Sequence, residues 1–323
     1  RAGQHPEGGT VMYLAGIDLG GTAIKAGLVD ENLKLVCKTS VPTGVGRPYQ
    51  EITFDMAQAV LSAAREKGIS PDEIASVGIG IPGVAPKGIA IAINMYWHGI
   101  PLEAEMRKHL DVPVYIDNDA TVAAVYEYHL GALAGCSVGV LLTLGTGVGG
   151  GIVINGKPFS GAHGLGSELG HMPIVHNGIQ CTCGNKGCLE VYASASALIG
   201  MGRRCVIEQP QSMLHHLTGG DYLKVTPKMI FDCAKEGDRI ALSIVDEYVD
   251  KLKLGICAIE NALDPDVIAI GGGISGAGEF LLDKIIRASE GVGVFKGQKY
   301  ADIRLAVSGN DAGVIGAAML GLP

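Results

Sequence analysis

The amino-acid sequence predicts a mixed α/β fold in two related domains with a cleft between them. Short apolar runs alternate with segments of helical periodicity, the signature of mixed α/β architecture. A strand–glycine turn–strand unit occurs twice, around Gly20-Gly21-Thr22 and around Gly145–Gly151, which reads as a weak internal duplication. The 323 residues suffice for two ordinary domains, and the 47% apolar content suffices for their cores.

Residues 1–11 are polar and glycine-rich and begin without methionine. They read as a tag remnant or disordered tail, with Met12 the expected native start. Tyr13 to Asp18, Ala23 to Asp30 and Leu33 to Val41 are expected as a three-stranded meander. Ile52 to Lys67 places Met56, Ala59, Val60, Ala63 and Ala64 at helical spacing. Ser76 to Ile81 is a strand stopped by Pro82-Gly83. Leu102 to Leu110 is a short amphipathic helix, Val112 to Ile116 a strand, and Ala120 to Leu133 a helix. The pattern then restarts with a strand over Ser137 to Leu144, a turn over Gly145 to Gly151, and a strand over Gly151 to Ile154. Further helical stretches follow, notably Ile240 to Leu263, where Ile244, Val245, Tyr248, Val249, Leu252, Ile256 and Ile259 line one face. Asp266 to Ile270 is a buried strand stopped by Gly271-Gly272-Gly273. A helix near Phe280, a strand over Ile303 to Val307 and a helix over Ala312 to Leu320 complete the pattern.

The formal charge of −8 argues against a nucleic-acid binder driven by phosphate neutralisation. No apolar stretch reaches the ~18 residues needed to span a membrane, so no membrane partner is expected. His171, Cys181, Cys183 and Cys188 have the spacing of a Cys3His ligand set for one tetrahedral zinc ion. The other five cysteines are scattered in apolar segments and read as buried thiols, which points to a reducing, cytoplasmic setting.

Two glycine turns join strands: Asp18-Leu-Gly20-Gly21-Thr22 and Thr143-Leu-Gly145-Thr146-Gly147-Val-Gly149-Gly150-Gly151. Converging glycine N–H groups and a threonine hydroxyl suit phosphate oxygens, and Asp18 suits a magnesium ion. Either turn alone is equally a hairpin turn that needs positive φ. Gly145-x-Gly147-x-x-Gly150 formally matches the dinucleotide fingerprint, but a short strand follows where that fingerprint needs a helix. Gly271-Gly272-Gly273, between a strand and a helix, would admit an adenine ring or simply cap the strand. Asp117-Asn118-Asp119 ends a strand and opens a helix. A carboxylate there can take a proton from a substrate hydroxyl, and the same residues are ordinary helix N-caps.

Taken together these segments resemble the ROK family of sugar kinases, within the actin-like ATPase superfamily. The resemblance rests on Asp18-Leu-Gly-Gly-Thr22, Asn118-Asp119-Ala120, Leu144-Gly-Thr-Gly-Val-Gly-Gly-Gly151, Gly161-Ala-His-Gly164-Leu-Gly-Ser-Glu168-Leu-Gly-His171 and Cys181-x-Cys183-Gly-x-x-Gly187-Cys188-Leu-Glu190. Asp264-Pro-x-x-Ile268-x-x-Gly271-Gly-Gly273 and Asn310-Asp-Ala-Gly-x-Ile-Gly-Ala317 extend it. It implies a ribonuclease H-like fold. Residues 12–117 with 311–323 would form a small domain and 118–310 a large one, with a zinc loop over 171–190. It implies ATP-dependent phosphorylation of a hexose at its C6 hydroxyl, with glucose the first choice. An N-acetylhexosamine, fructose, mannose or allose acceptor, a polyphosphate donor and a sugar-responsive regulator remain open. Asp119 would be the base. Asn94, Asn118, Glu168, His171 and Glu190 would hold the sugar. Asp18, Gly20, Gly21, Thr22, Gly145, Thr146, Gly147 and Gly271–Gly273 would hold Mg–ATP. Zinc would be structural, and a homodimer is implied. Many bacterial members carry lysine after Gly-Gly-Thr; here Ala23 follows, and Lys25 lies two residues on, on the same face of a strand.

Overall fold

The computed structural model describes residues 12–322; the expectation for residues 1–11 lies outside the described residues. The chain divides into two compact units. The first comprises residues up to Tyr126, Ser160–Leu165, and Gly309 onward; the second comprises Glu127–Phe159 and Gly166–Ser308. Against the expected turnover at 117 and 311, these units turn over at 126 and 309.

In the first unit, β1 (Tyr13–Leu19), β2 (Ala23–Val29) and β3 (Leu35–Pro42) form the expected antiparallel meander. Helix α1 (Tyr49–Glu66) follows, then β4 (Ile74–Ile81) parallel to β1. Helix α1 buries Ile52, Met56, Ala59, Val60 and Ala63, the stripe that its 3.6-residue period sets apart. A hairpin of β5 (Ala90–Ala92) and β6 (Trp97–Ile100) had no counterpart in the sequence reading. Helix α2 spans only Leu102–Arg107, shorter than expected. Strand β7 (Val114–Asn118) pairs parallel with β4 and runs directly into α3 (Asp119–Leu130). The sheet order is β3-β2-β1-β4-β7. The C-terminal helix, Ala312–Met319, lies backbone-close on this sheet: a Cβ at Gly16 would stand 1.8 Å from the Val314 carbonyl oxygen, and one at Gly78 1.7 Å from that of Ala317. Glycine at both positions is what lets the helix seat there.

The second unit repeats the plan. Strands β8 (Val138–Leu144), β9 (Val148–Ile154) and β10 (Lys157–Pro158) are antiparallel neighbours. The second glycine turn is therefore shorter than the sequence suggested: Gly149, Gly150 and Gly151 are strand residues paired with Thr143, Leu142 and Leu141. Helices α4 (Glu190–Ala193), α5 (Ala195–Glu208), α6 (Met213–Thr218) and α7 (Pro227–Lys235) lead to α8 (Arg239–Leu263). Asp238 caps α8 by accepting from the Ile240 and Ala241 N–H groups, and the expected apolar face is its buried one. Then come β11 (Val267–Gly271), α9 (Glu279–Ser289) and β12 (Asp302–Leu305), with β11 parallel to both β8 and β12. The order β10-β9-β8-β11-β12 matches the first sheet strand for strand, so the internal duplication is one of topology. Each unit has its own apolar core, one around β1, β4 and α1, the other around β8, β11 and α8.

Candidate active site

In the first unit the turn after β1 is closed by the Gly20 N–H donating to the Ala23 carbonyl at 3.0 Å. Buried Thr43 braces it from β3's far end. Its Oγ1 donates to the Gly20 carbonyl at 2.6 Å, and its N–H donates to that of Thr22 at 3.0 Å. Gly21 and Thr22 stay at the surface or close to it. Asp18, at the end of β1, lies against the start of the C-terminal helix, where a Cβ on Gly313 would meet its carboxylate at 2.8 Å. Lys25, its cross-strand partner, approaches it at 3.3 Å. A carboxylate so placed, beside a glycine turn, suits a hydrated magnesium ion.

At the end of β7, Asn118 is oriented by two backbone groups. Its Nδ2 donates to the Gly83 carbonyl at 3.0 Å and its Oδ1 accepts from the Ala120 N–H at 2.8 Å, capping α3. Asp119 opens the helix, its Oδ1 accepting from the Ala120 N–H at 2.8 Å. Asp117 accepts from the Ser160 hydroxyl at 2.8 Å and the Asn118 N–H at 2.7 Å. Burial nevertheless pushes its carboxyl up from the ordinary range. Asn94 lies exposed in a single 3-10 turn between β5 and β6.

In the second unit Glu168, His171 and Glu190 form an electrostatic group. Burial raises the Glu168 carboxyl, His171 opposes that rise and Glu190 adds to it. Ser167 just before it has φ 66°, an uncommon conformation for a non-glycine residue, held by its hydroxyl donating to the Phe159 carbonyl. Glu190 also reaches the second glycine turn, its Oε2 accepting from the Val148 N–H at 3.0 Å. A Cβ on Gly147 would stand 2.2 Å from that oxygen, so a side chain there would displace the Glu190 carboxylate from the turn. The turn is held again by the Ala195 N–H donating to the Gly145 carbonyl and the Ser196 hydroxyl donating to that of Thr146, both at 2.7 Å. Gly272, with φ 80°, packs on the backbone of Leu144, which leaves Gly273 open beside it.

The ligand atoms of His171, Cys181, Cys183 and Cys188 all lie within 4.8 Å of one another. A tetrahedral zinc ion at ordinary bond lengths sets its sulfur atoms about 3.8 Å apart and a sulfur and nitrogen about 3.6 Å apart. The Cys183 and Cys188 sulfurs are 3.7 Å apart, and Cys181 Sγ is 3.6 Å from His171 Nδ1. The four residues therefore fit zinc. Without a cation, burial and the neighbouring cysteines push the Cys188 thiol up to about 12, whereas the Asn185 N–H draws Cys183 down. A bound metal would turn these thiols into thiolates.

The family model for ROK matches residues 14–322. The chain belongs to the ROK family. A glucokinase of Halalkalibacterium halodurans is 36% identical over 95% of this chain and 94% of its own. A xylose repressor of Caldicellulosiruptor bescii is 30% identical over 85% of this chain but only 69% of its own. The structure of a ROK glucokinase from Streptomyces griseus in complex with glucose and AMPPNP superposes with a TM-score of 0.79 at 32% identity, covering 95% of this chain and 98% of that one. The two-sheet α/β fold described above is thus the ROK fold, of the actin-like superfamily. Thr43, Ser160 and Ser196 escaped the sequence reading. Each is a lone hydroxyl far in sequence from what it braces, and no local pattern marks it.

Proposed function

We infer that the chain is a sugar kinase that transfers the terminal phosphoryl group of ATP to the C6 hydroxyl of a hexose, with glucose as acceptor. The observation that carries this reading is the likeness over nearly the whole chain to glucokinases, one of them in complex with glucose and AMPPNP. Asp119 is the base. Its carboxylate takes the hydroxyl proton as the new O–P bond forms, the bond to the β–γ bridging oxygen breaks, and ADP leaves. Such a base contributes about 10²–10⁴ in rate. Asn94, Asn118, Glu168, His171 and Glu190 hold the sugar hydroxyls, and a misplaced hydroxyl leaves a buried group unpaired. The turns at Gly20–Thr22 and Gly145–Gly147 offer backbone N–H groups to the phosphates, and Gly271–Gly273 flank the adenine. Magnesium, held through Asp18, would neutralise phosphate charge. Zinc on four protein ligands has no open position for chemistry and would serve to fix the loop bearing His171 and Glu190. No helix of the described residues is long and apolar enough to cross a membrane. A cytoplasmic homodimer completes the reading.

A coupled assay of ADP release, run across a panel of hexoses and N-acetylhexosamines, tests it. Glucose is expected to give the highest turnover with Mg–ATP, and polyphosphate in place of ATP is expected to support little glucose phosphorylation. If no sugar raises ADP formation above background, the kinase reading fails.

A further inference from the structure

A cavity lies within the second unit, away from every group assigned above. It measures about 600 Å³ and is bounded by the last turns of α8, the end of α9 and the segment leading into β12. That volume is within the range of small-molecule sites. The cavity adjoins Asp302 and Ile303 at the start of β12, the end of the parallel strands opposite to Gly271–Gly273.

Two of its lining side chains carry buried atoms with no hydrogen-bond partner, Glu260 Oε2 and Ser289 Oγ. Glu260 is only 3% exposed and occupies a position on the apolar face of α8, next to Ile256 and Ile259. A buried carboxyl without a partner is unfavourable, and burial pushes this one up from the ordinary range. The cations nearby do not relieve it. Lys299 and Arg304 are both paired with Asp302, at 3.0 and 3.3 Å, and Arg304 also donates to the Ala132 carbonyl at 3.0 Å. Glu290, on the same lining, has no ion-pair partner among the described residues. The unmet demand in this cavity is for a positively charged hydrogen-bond donor, and an anion would find its cations already engaged.

We propose that this cavity binds a small organic amine. Its ammonium pairs with Glu260 and Ser289, and its short carbon stem lies on Ile286 and Ile303. Such a ligand supplies both missing partners at once and places apolar atoms on apolar atoms.

Calorimetric titration of the full chain with cadaverine, and with its diol analogue as the neutral control, tests the proposal. Cadaverine should bind with a dissociation constant on the order of millimolar, fitting for about seven heavy atoms, while the diol should give no measurable heat. Glu260→Gln should weaken cadaverine about tenfold or more, since a charged hydrogen bond is lost, and leave sugar phosphorylation unchanged. Nuclear Overhauser contacts from cadaverine to Tyr300 and Ile303 in the unsubstituted protein locate the ligand independently of any variant. Equal binding of amine and diol, unchanged affinity in Glu260→Gln, or contacts elsewhere would each overturn the proposal, as would no binding at all.

Discussion

In the proposed reaction Asp119 and Ser196 would serve transfer in two different ways. Asp119 touches the reacting hydroxyl in the proposed reaction, so Asp119→Asn should lower turnover on the order of 10²-fold or more. The amide keeps the size and one acceptor for the Ala120 N–H, so sugar affinity should stay within a modest factor in equilibrium binding. Near-normal turnover would reduce Asp119 to a helix cap. Ser196 touches no substrate in this reading; it holds the Thr146 carbonyl and through it the second glycine turn. One neutral hydrogen bond is worth about 0.5–1.5 kcal/mol, or roughly two- to tenfold in an equilibrium. Steady-state kinetics of Ser196→Ala should therefore show the KM for ATP rising by about that factor while the KM for sugar holds. A rise in both together would mean that the hydroxyl merely stabilises the unit.

Among the elements, the segment from Cys181 to Ser196 joins more chemistry than any other. It carries three of the four candidate zinc ligands, then Glu190 on the Val148 N–H, then the two donors that clamp the Gly145–Gly147 turn. A disturbance at the candidate zinc ligands would thus reach the Gly145–Gly147 turn through a few covalently linked residues. Cys183→Ser should lower zinc content, thermal stability and sugar affinity together, since it removes one of the four candidate ligands and metal binding is coupled to folding. Metal analysis and binding of one preparation give all three, and a variant that lost zinc yet kept normal sugar affinity would break the link. Most of this segment was legible in the sequence, because ligand spacing and glycine turns are written in adjacent residues. The same holds for α8, whose buried face repeats every three or four positions over seven turns. The hairpin β5–β6 was not legible, since strands of three and four residues carry too little alternation to detect. Nor was the true length of the second turn. Three successive glycines read as a loop, yet Gly150 pairs with Leu142 in a strand, and Leu169 and the Ser167 carbonyl crowd the space a Cβ would take there. Glu260 could not be foreseen either, for a lone acid on a helix is normally solvated and only packing reveals its burial.

At the scale of the whole molecule, Asp117, Glu168 and Glu260 act in one direction on stability against pH. Burial raises all three carboxyls, so the folded chain binds their protons more tightly than the unfolded one. Stability from these groups is present below the ordinary carboxylate pKa of about 4 and falls as pH rises through the raised folded values. Glu260→Gln removes one of them. Its melting temperature relative to the unsubstituted protein should therefore climb as pH rises across that window, and a flat difference in scanning calorimetry would contradict the assignment. The division of the chain carries a different consequence, one of timing. The chain crosses between the units after residues 126, 159, 165 and 308, so the first unit is assembled from segments on both sides of the second in sequence. Its sheet is complete once Asn118 has been made, but the helix that seats on Gly16 and Gly78 begins only at Ala312. During synthesis the second unit has its full complement of residues before that helix is made, and the first unit waits with an uncovered face on β1 and β4 until Ala312–Met319 emerges. For a chain made at about 5–20 residues per second, the gap between Asn118 and Ala312 leaves that face open for roughly 10–40 seconds, an interval in which a chaperone would find it.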